Sequence, residues 1–137
     1  MSFLVDTNVI SELRKRDRCN EGVARWYESC PADEIFLSAL TIGEIRKGIE
    51  RIRRRDAGSA ASIDGWLHRL VAEHHDRIIS IDHEIADEWG RLNVPDPLPV
   101  IDGLLAATAK VRGMTLVTRN VGDVERTGVS LLNPFVE

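Results

Sequence analysis

The segment Phe3-Leu4-Val5-Asp6-Thr7-Asn8 predicts both a strand and a functional site close to the start of the chain. Its apolar residues indicate a short buried strand, and Asp6 follows at the carboxyl end of that strand. Open α/β sheets bind ligands in the crevice beyond the carboxyl ends of their strands. Asp6 is therefore a candidate for chemistry if other carboxylates reach it, because one carboxylate alone holds a hard divalent cation poorly.

Short apolar runs alternate with helical patterns along the rest of the chain. This alternation predicts an α/β fold with a mostly parallel sheet of about five strands, covered by helices on both faces. The predicted strands are Phe3-Val5, Ile35-Leu37, Ile78-Ile81, Thr115-Thr118 and Val129-Leu132. The predicted helices are Val9-Arg16, Gly22-Tyr27, Ile42-Arg54, Ile63-His75, Glu84-Asn93 and Asp102-Val111. We expect loops at residues 56–62 and 95–99, and Gly113 as a helix stop.

Length and composition limit the class of protein. The 137 residues fit one domain, residues 1–137, with no linker. A hydrophobic fraction of 43% with 29% charged residues is ordinary for a soluble protein. No apolar stretch approaches the roughly 20 residues that span a bilayer, and the first residues do not form a secretory signal. We therefore expect a cytoplasmic protein without a membrane partner.

Other titratable residues suggest no second type of site. Cys19 and Cys30 form no C-x-x-C pair, so free thiols are favoured over a disulfide. The four histidines, which lie between residues 68 and 83, lack the spacing of a zinc site and are interpreted as surface or half-buried. The net charge of −4 argues against binding nucleic acid through charge alone, but it does not exclude a nuclease.

Three further acidic residues follow the same topological rule as Asp6, and each also has a structural interpretation. Glu44 completes an S/T-x-x-E capping box with Thr41 at a helix start. Asp102 opens an apolar helix, where either the helix dipole or a bound cation would stabilise it. Asp123 follows a predicted strand and could simply cap a turn. Four acids at strand ends or facing helix starts are nevertheless better explained by one site than by four coincidences.

Such a site predicts metal-assisted hydrolysis of a phosphodiester bond. Carboxylates that hold Mg²⁺ or Mn²⁺ can lower the pKa of a bound water and stabilise the leaving oxygen. The chain carries no G-x-S-x-G elbow, P-loop or G-x-G-x-x-G motif that would favour another chemistry.

These motifs resemble those of PIN-domain ribonucleases of the VapC type, the toxins of toxin–antitoxin pairs, and in particular the FitB-like plasmid-stability branch. The resemblance runs through the chain in the family's order, over residues 4–13, 37–45, 101–109 and 116–123. It implies a PIN-like three-layer α/β/α sandwich. It also implies a metal-dependent endoribonuclease with an RNA substrate, a small cognate antitoxin and a homodimeric toxin.

Carried over residue by residue, the resemblance assigns the metal site and its surroundings. The acids that would hold Mg²⁺ or Mn²⁺ and act in catalysis are Asp6, Glu44, Asp102 and Asp123. The polar residues that would support them are Thr7, Asn8, Thr118 and Asn120, and Asn120 could share or replace the role of Asp123. The basic stretch Arg46–Arg55 is a candidate for RNA backbone contact, although a solvated helix face or an antitoxin-binding surface explains it as well.

Two alternative functions remain open at this level. A catalytically idle PIN-like module would bind a partner without cutting RNA. A receiver domain also gathers carboxylates at parallel strand ends, but it needs an acidic pair after the first strand and a lysine after the fourth, and this chain has neither.

Overall fold

The first apolar run forms a strand around which the rest of the chain is arranged. The computed structural model describes all 137 residues. Its strands are β1 (Phe3–Val5), β2 (Ile35–Ser38), β3 (Ile78–Ile79), β4 (Thr115–Val117) and β5 (Leu131–Leu132). Its α-helices are α1 (Thr7–Leu13), α2 (Glu21–Ser29), α3 (Ala39–Arg53), α4 (Ala57–Glu73), α5 (His83–Leu92), α6 (Val100–Arg112) and α7 (Val121–Val124).

The five strands form one sheet in the order β3-β2-β1-β4-β5, and every neighbouring pair is parallel. In this register Leu4 lies opposite Phe36 on β2 and Leu116 on β4. The predicted sheet is confirmed. Because the chain adds strands first on one side of β1 and then on the other, the direction of winding reverses beside β1. This reversal point is where open α/β sheets bind their ligands.

Helices cover both faces of the sheet. Successive strand residues point to opposite sides, so each face presents apolar side chains to one layer of helices. Val5 packs on one face with residues of α1 to α4, including Ile10 and Ile49. Leu4 packs on the other face with residues of α5 and α6, including Leu105. Leu4 and Val5 are both fully buried, as expected for a parallel strand with two covered faces. The predicted α/β/α sandwich is confirmed.

The predicted loop at residues 56–62 is wrong, because α4 begins at Ala57. Asp56 caps this helix: its carboxylate accepts hydrogen bonds from the Ser59 N–H at 3.0 Å and from the Ser59 hydroxyl at 2.6 Å. Small residues suggested a loop, but alanine is the best helix former and the aspartate cap starts the helix. Both α3 and α6 also begin earlier than predicted, at Ala39 and Val100.

The end of α6, the two cysteines and His74 test further predictions made from the sequence. Gly113 ends α6 in the left-handed conformation, with φ of 67°, as predicted. Cys19 and Cys30 are free thiols. His74 is buried rather than near the surface, with its Nδ1 2.9 Å from the carbonyl oxygen of Leu70. None of the helices combines the length and the apolar character needed to cross a membrane.

Candidate active site

Asp6 ends β1 and at the same time caps α1. Its backbone N–H donates to the carbonyl oxygen of Val117 at 2.9 Å, which extends the pairing of β1 with β4. Asp6 is 5% exposed, and its carboxylate accepts from the Thr7 N–H at 2.7 Å, the Thr118 hydroxyl at 2.8 Å and the Asn8 amide at 3.3 Å. Burial raises the pKa of Asp6 above its ordinary value, against the opposing effect of the hydrogen bonds from Thr118 and Thr7.

Glu44 reaches the site from α3, but not through the capping box suggested by its sequence. The helix begins at Ala39, and the Ser38 hydroxyl caps it by accepting from the Leu40 N–H at 3.1 Å. Thr41 is buried inside the helix, so the capping-box interpretation of Glu44 is wrong. Glu44 instead accepts a 2.6 Å hydrogen bond from the Thr7 hydroxyl. Sequence reasoning missed Ser38, although a serine directly after an apolar strand is a recognisable helix-start signal.

Asp102 lies in the first turn of α6, whose start has no side-chain cap. The pKa of Asp102 is raised to about 6, first by burial and then by the negative charges of Asp6, Asp123 and Glu44. The negative charges of the other three acids therefore all act on Asp102, and the fold brings the four acids together at the carboxyl edge of the sheet.

Asp123 and Asn120 differ in how they face this cluster. Asp123 lies in the short helix α7 and interacts with Asp102. Asn120 precedes α7 without capping it through its side chain, and its backbone N–H donates to the Thr118 hydroxyl at 3.0 Å. The Asn120 side chain makes no hydrogen bond within the chain, whereas Asp123 adds a carboxylate directly to the cluster.

Asn8 and Thr118 connect the two strand ends on either side of Asp6. The Asn8 side-chain amide lies 3.5 Å from the Thr118 hydroxyl, and its oxygen accepts from the Arg119 N–H at 3.2 Å. Thr118 is buried and donates to Asp6 while it accepts from Asn120. These contacts hold the Asp6 carboxylate in one orientation, as outer partners of a metal ligand do.

The four acids share a second property: none is paired with a cationic side chain. No lysine, arginine or histidine nitrogen lies within 4.0 Å of a carboxylate oxygen of Asp6, Glu44, Asp102 or Asp123. Asp6 is buried, Glu44 and Asp102 are half-buried and Asp123 is exposed. Carboxylates that lose contact with water and repel one another are costly unless a cation compensates them. The cluster is therefore suited to attract a divalent cation.

The cluster is looser than a dedicated metal cage, since no three acidic side chains converge tightly enough to enclose one ion directly. Mg²⁺ usually keeps several waters and is bound by only one or two protein carboxylates. The all-oxygen donor set also suits Mg²⁺ or Mn²⁺ better than softer metals.

The fold and the site together define a parallel α/β/α protein with four unpaired acids at the carboxyl edge of its sheet. Residues 3–128 match the PIN domain family. The chain belongs to the PIN domain family, which confirms the family predicted from the four sequence segments.

Similar proteins match this chain almost from end to end. It is 30% identical over 143 residues to the toxin FitB of Neisseria gonorrhoeae, a match that covers 97% of this chain and 98% of FitB. It is 28% identical over 142 residues to the VapC ribonuclease Y4jK of Sinorhizobium fredii, covering 97% of each. The crystal structure of FitAcB from Neisseria gonorrhoeae has a TM-score of 0.88 to this structure at 29% identity, covering 96% of this chain and 97% of that chain.

Proposed function

We propose that this protein is a metal-dependent endoribonuclease and the toxin of a type II toxin–antitoxin pair. The proposal rests on the cluster of four acids that have no ion-pair partner. One of them, Asp102, has a pKa raised to about 6 by burial and by the negative charges of the other three. Membership of the PIN family and full-length similarity to a VapC ribonuclease and to toxin FitB support the reaction and the biological role.

Asp6, Glu44, Asp102 and Asp123 would hold the cation, which would be Mg²⁺ or Mn²⁺. When bound, it would supply an activated water and stabilise the charge that develops on the leaving oxygen. Thr7 orients Glu44 through its hydroxyl and Asp6 through its N–H, and Thr118 fixes the other oxygen of Asp6. The chain thus contributes a preoriented set of oxygen ligands, which lowers the cost of ordering them around the cation.

The decisive experiment compares wild type with Asp6→Asn on structured RNA, with Mg²⁺, with Mn²⁺ and with EDTA. Asparagine retains an oxygen that can cap α1, so the variant is expected to fold, and a thermal melt checks this. We expect cation-dependent cleavage by wild type and a loss of at least a hundredfold in the variant. Equal cleavage by the two proteins would contradict the proposal.

A catalytically idle module is the competing function within the family. Calorimetric titration with Mn²⁺ separates the two: saturable binding that Asp6→Asn weakens supports the nuclease, whereas no binding supports the module. The receiver alternative is set aside, because the chain belongs to the PIN family.

The partners and the organisation of the chain follow from the same proposal. We propose an RNA substrate, a small antitoxin and a homodimer, with residues 1–137 acting as one PIN domain in the cytoplasm. One sheet carries a core on each face, which supports a single folding unit. Co-expression with any small protein that is encoded immediately upstream, followed by size-exclusion chromatography, tests both the antitoxin and the dimer.

A further inference from the structure

The basic stretch on α3 separates into two groups with different roles. Arg46 and Arg53 both bind Asp64 on α4, at 2.8 and 3.0 Å, and both bind Glu50, at 3.2 and 3.1 Å. Their charges are matched by two carboxylates, and their contacts tie α3 to α4. These two arginines are therefore committed to the fold.

Lys47 and Arg51 belong to the other group. Both are exposed, and no carboxylate oxygen lies within 4.0 Å of either side-chain nitrogen. Residues 44, 47 and 51 are spaced by three and four positions, so Glu44, Lys47 and Arg51 share one side of the helix. The two free cations therefore extend away from the acidic cluster along the same line as Glu44.

A groove of about 470 Å³ joins these residues to the site. Glu44, Lys47 and Arg51 line it along α3, and Ile101, the neighbour of Asp102, lines it from α6. The groove thus begins at Glu44, one of the four acids, and runs past the two free cations. Its charge changes from negative at the cluster to positive along α3.

Two glycines leave the backbone of α3 uncovered by side chains where it lines this groove. Gly43 and Gly48 both line the groove, and a Cβ built on either would meet no atom within 4 Å. Glycine weakens the interior of a helix relative to alanine, and neither position has a packing contact that requires it. Exposed helix backbone is useful where another chain must approach closely.

We propose that this groove holds the RNA strand beside the scissile phosphate, with Lys47 and Arg51 contacting its backbone phosphates. The inference rests on the proposed nuclease function and names the residues that position its substrate. The acidic cluster repels a polyanion, so a strand must be held by cations next to that cluster. Contacts of this kind set position and affinity without reading sequence.

The first test removes the two charges and measures RNA binding. Lys47→Gln/Arg51→Gln is compared with Arg54→Gln/Arg55→Gln, which removes two equally exposed charges without an ion pair at the end of the same stretch. Fluorescence anisotropy with a labelled single-stranded RNA is recorded in Mg²⁺ on the Asp6→Asn background, which is not expected to cut the probe. The groove variant should bind roughly tenfold more weakly, and its log K against log salt slope should fall by about 1.4.

The second test fills the groove. Gly48→Leu places a side chain in open space within the groove, and Gly90→Leu does the same in α5, away from it. Both variants should raise the melting temperature, because leucine is the better helix former. Only Gly48→Leu should weaken RNA binding, so stability and affinity move in opposite directions.

Steady-state cleavage separates this inference from the nuclease proposal. In the otherwise wild-type chain, Lys47→Gln/Arg51→Gln should raise KM and leave kcat nearly unchanged, because neither side chain is part of the acidic cluster. If Lys47→Gln/Arg51→Gln cleaves and binds RNA as well as the Arg54→Gln/Arg55→Gln control, the proposed role of the groove is contradicted and the nuclease proposal is unaffected. Weakened RNA binding without cleavage by wild type would overturn the nuclease and keep the groove. Normal RNA binding with loss of the co-expressed antitoxin would assign the groove to the protein partner instead.

Discussion

The Thr7 hydroxyl donates a 2.6 Å hydrogen bond to Oε1 of Glu44, which joins the residue after Asp6 to a helix that begins more than thirty positions later in the chain. Through this one contact, the acid at the end of β1 and the acid on α3 are held in a fixed relation. Since Thr7 also donates its N–H to Asp6, a single residue orients two of the four acids. The candidate site is therefore organised by residues that do not themselves carry charge.

Replacing Thr7 with valine should weaken the site without unfolding the protein. The variant keeps the backbone donor to Asp6 but leaves Glu44 without its hydroxyl partner, so we expect Mn²⁺ affinity and RNA cleavage to fall by roughly tenfold. The expected cost in stability is about 1 kcal/mol. Calorimetric titration and initial cleavage rates measure the effect. Thr7→Ser restores the hydroxyl and should recover most of it, and failure of serine to do so would contradict an orienting role.

Asp102→Asn should stabilise the cation-free protein at neutral pH. Burial and three negative neighbours raise the pKa of Asp102 to about 6, above its ordinary value of 3.8. Folding therefore favours the protonated form, and the stability contributed by this group falls as pH rises from about 4 to 6. We expect the variant to be more stable than wild type by roughly 1 kcal/mol at pH 7, a value discounted for the partial exposure of the carboxyl.

Thermal melts in EDTA at pH 4, 5, 6 and 7 measure this difference. The gap between Asp102→Asn and wild type should widen through that range and close when Mn²⁺ is added to wild type. A gap that is independent of pH would show that Asp102 is not destabilised by its acidic neighbours.

Asp64→Asn should have the opposite dependence on pH. The Arg46 guanidinium lowers the pKa of Asp64 to about 2, from an ordinary value of 3.8. The stability from this group is fully present above about pH 4 and is lost as pH falls towards 2. The variant should melt below wild type at pH 7 and approach it at pH 2. Asp96→Asn removes an exposed carboxylate that has no ion pair, and it should show no such trend.

Ser38→Ala should loosen the start of α3 and with it the position of Glu44. The buried Ser38 hydroxyl accepts from the Leu40 N–H, and losing such a cap costs about 1 kcal/mol, or roughly 4 °C in melting temperature. Ser38→Gly should cost less than alanine, because glycine is tolerated at helix starts. Differential scanning calorimetry measures both. A larger loss for glycine than for alanine would exclude capping as the role of Ser38.

Local sequence patterns were sufficient for much of the fold. The run Phe3-Leu4-Val5 predicted β1, and the spacing of later runs predicted a parallel sheet, because apolar periodicity reports directly on burial. The same reasoning failed at residues 56–62, where a composition typical of loops forms the start of α4 under an aspartate cap. It also failed at Thr41, because Ser38, three residues earlier, is the residue that caps α3. Both errors lie at helix boundaries, where a single hydrogen bond determines which residue caps the helix.

Sequence determined which acids stand at strand ends and facing helix starts, because that placement follows from the order of elements along the chain. Tertiary structure decided which of them interact, and which cations remain free. The Thr7 hydroxyl donates a hydrogen bond to Glu44, and the charges of three other carboxylates raise the pKa of Asp102. Asp64 binds Arg46 and Arg53, whereas Lys47 and Arg51 have no ion-pair partner. These relations join residues that are distant in the chain, and only the packing of helices on the sheet sets the distances on which hydrogen bonds and charge interactions depend.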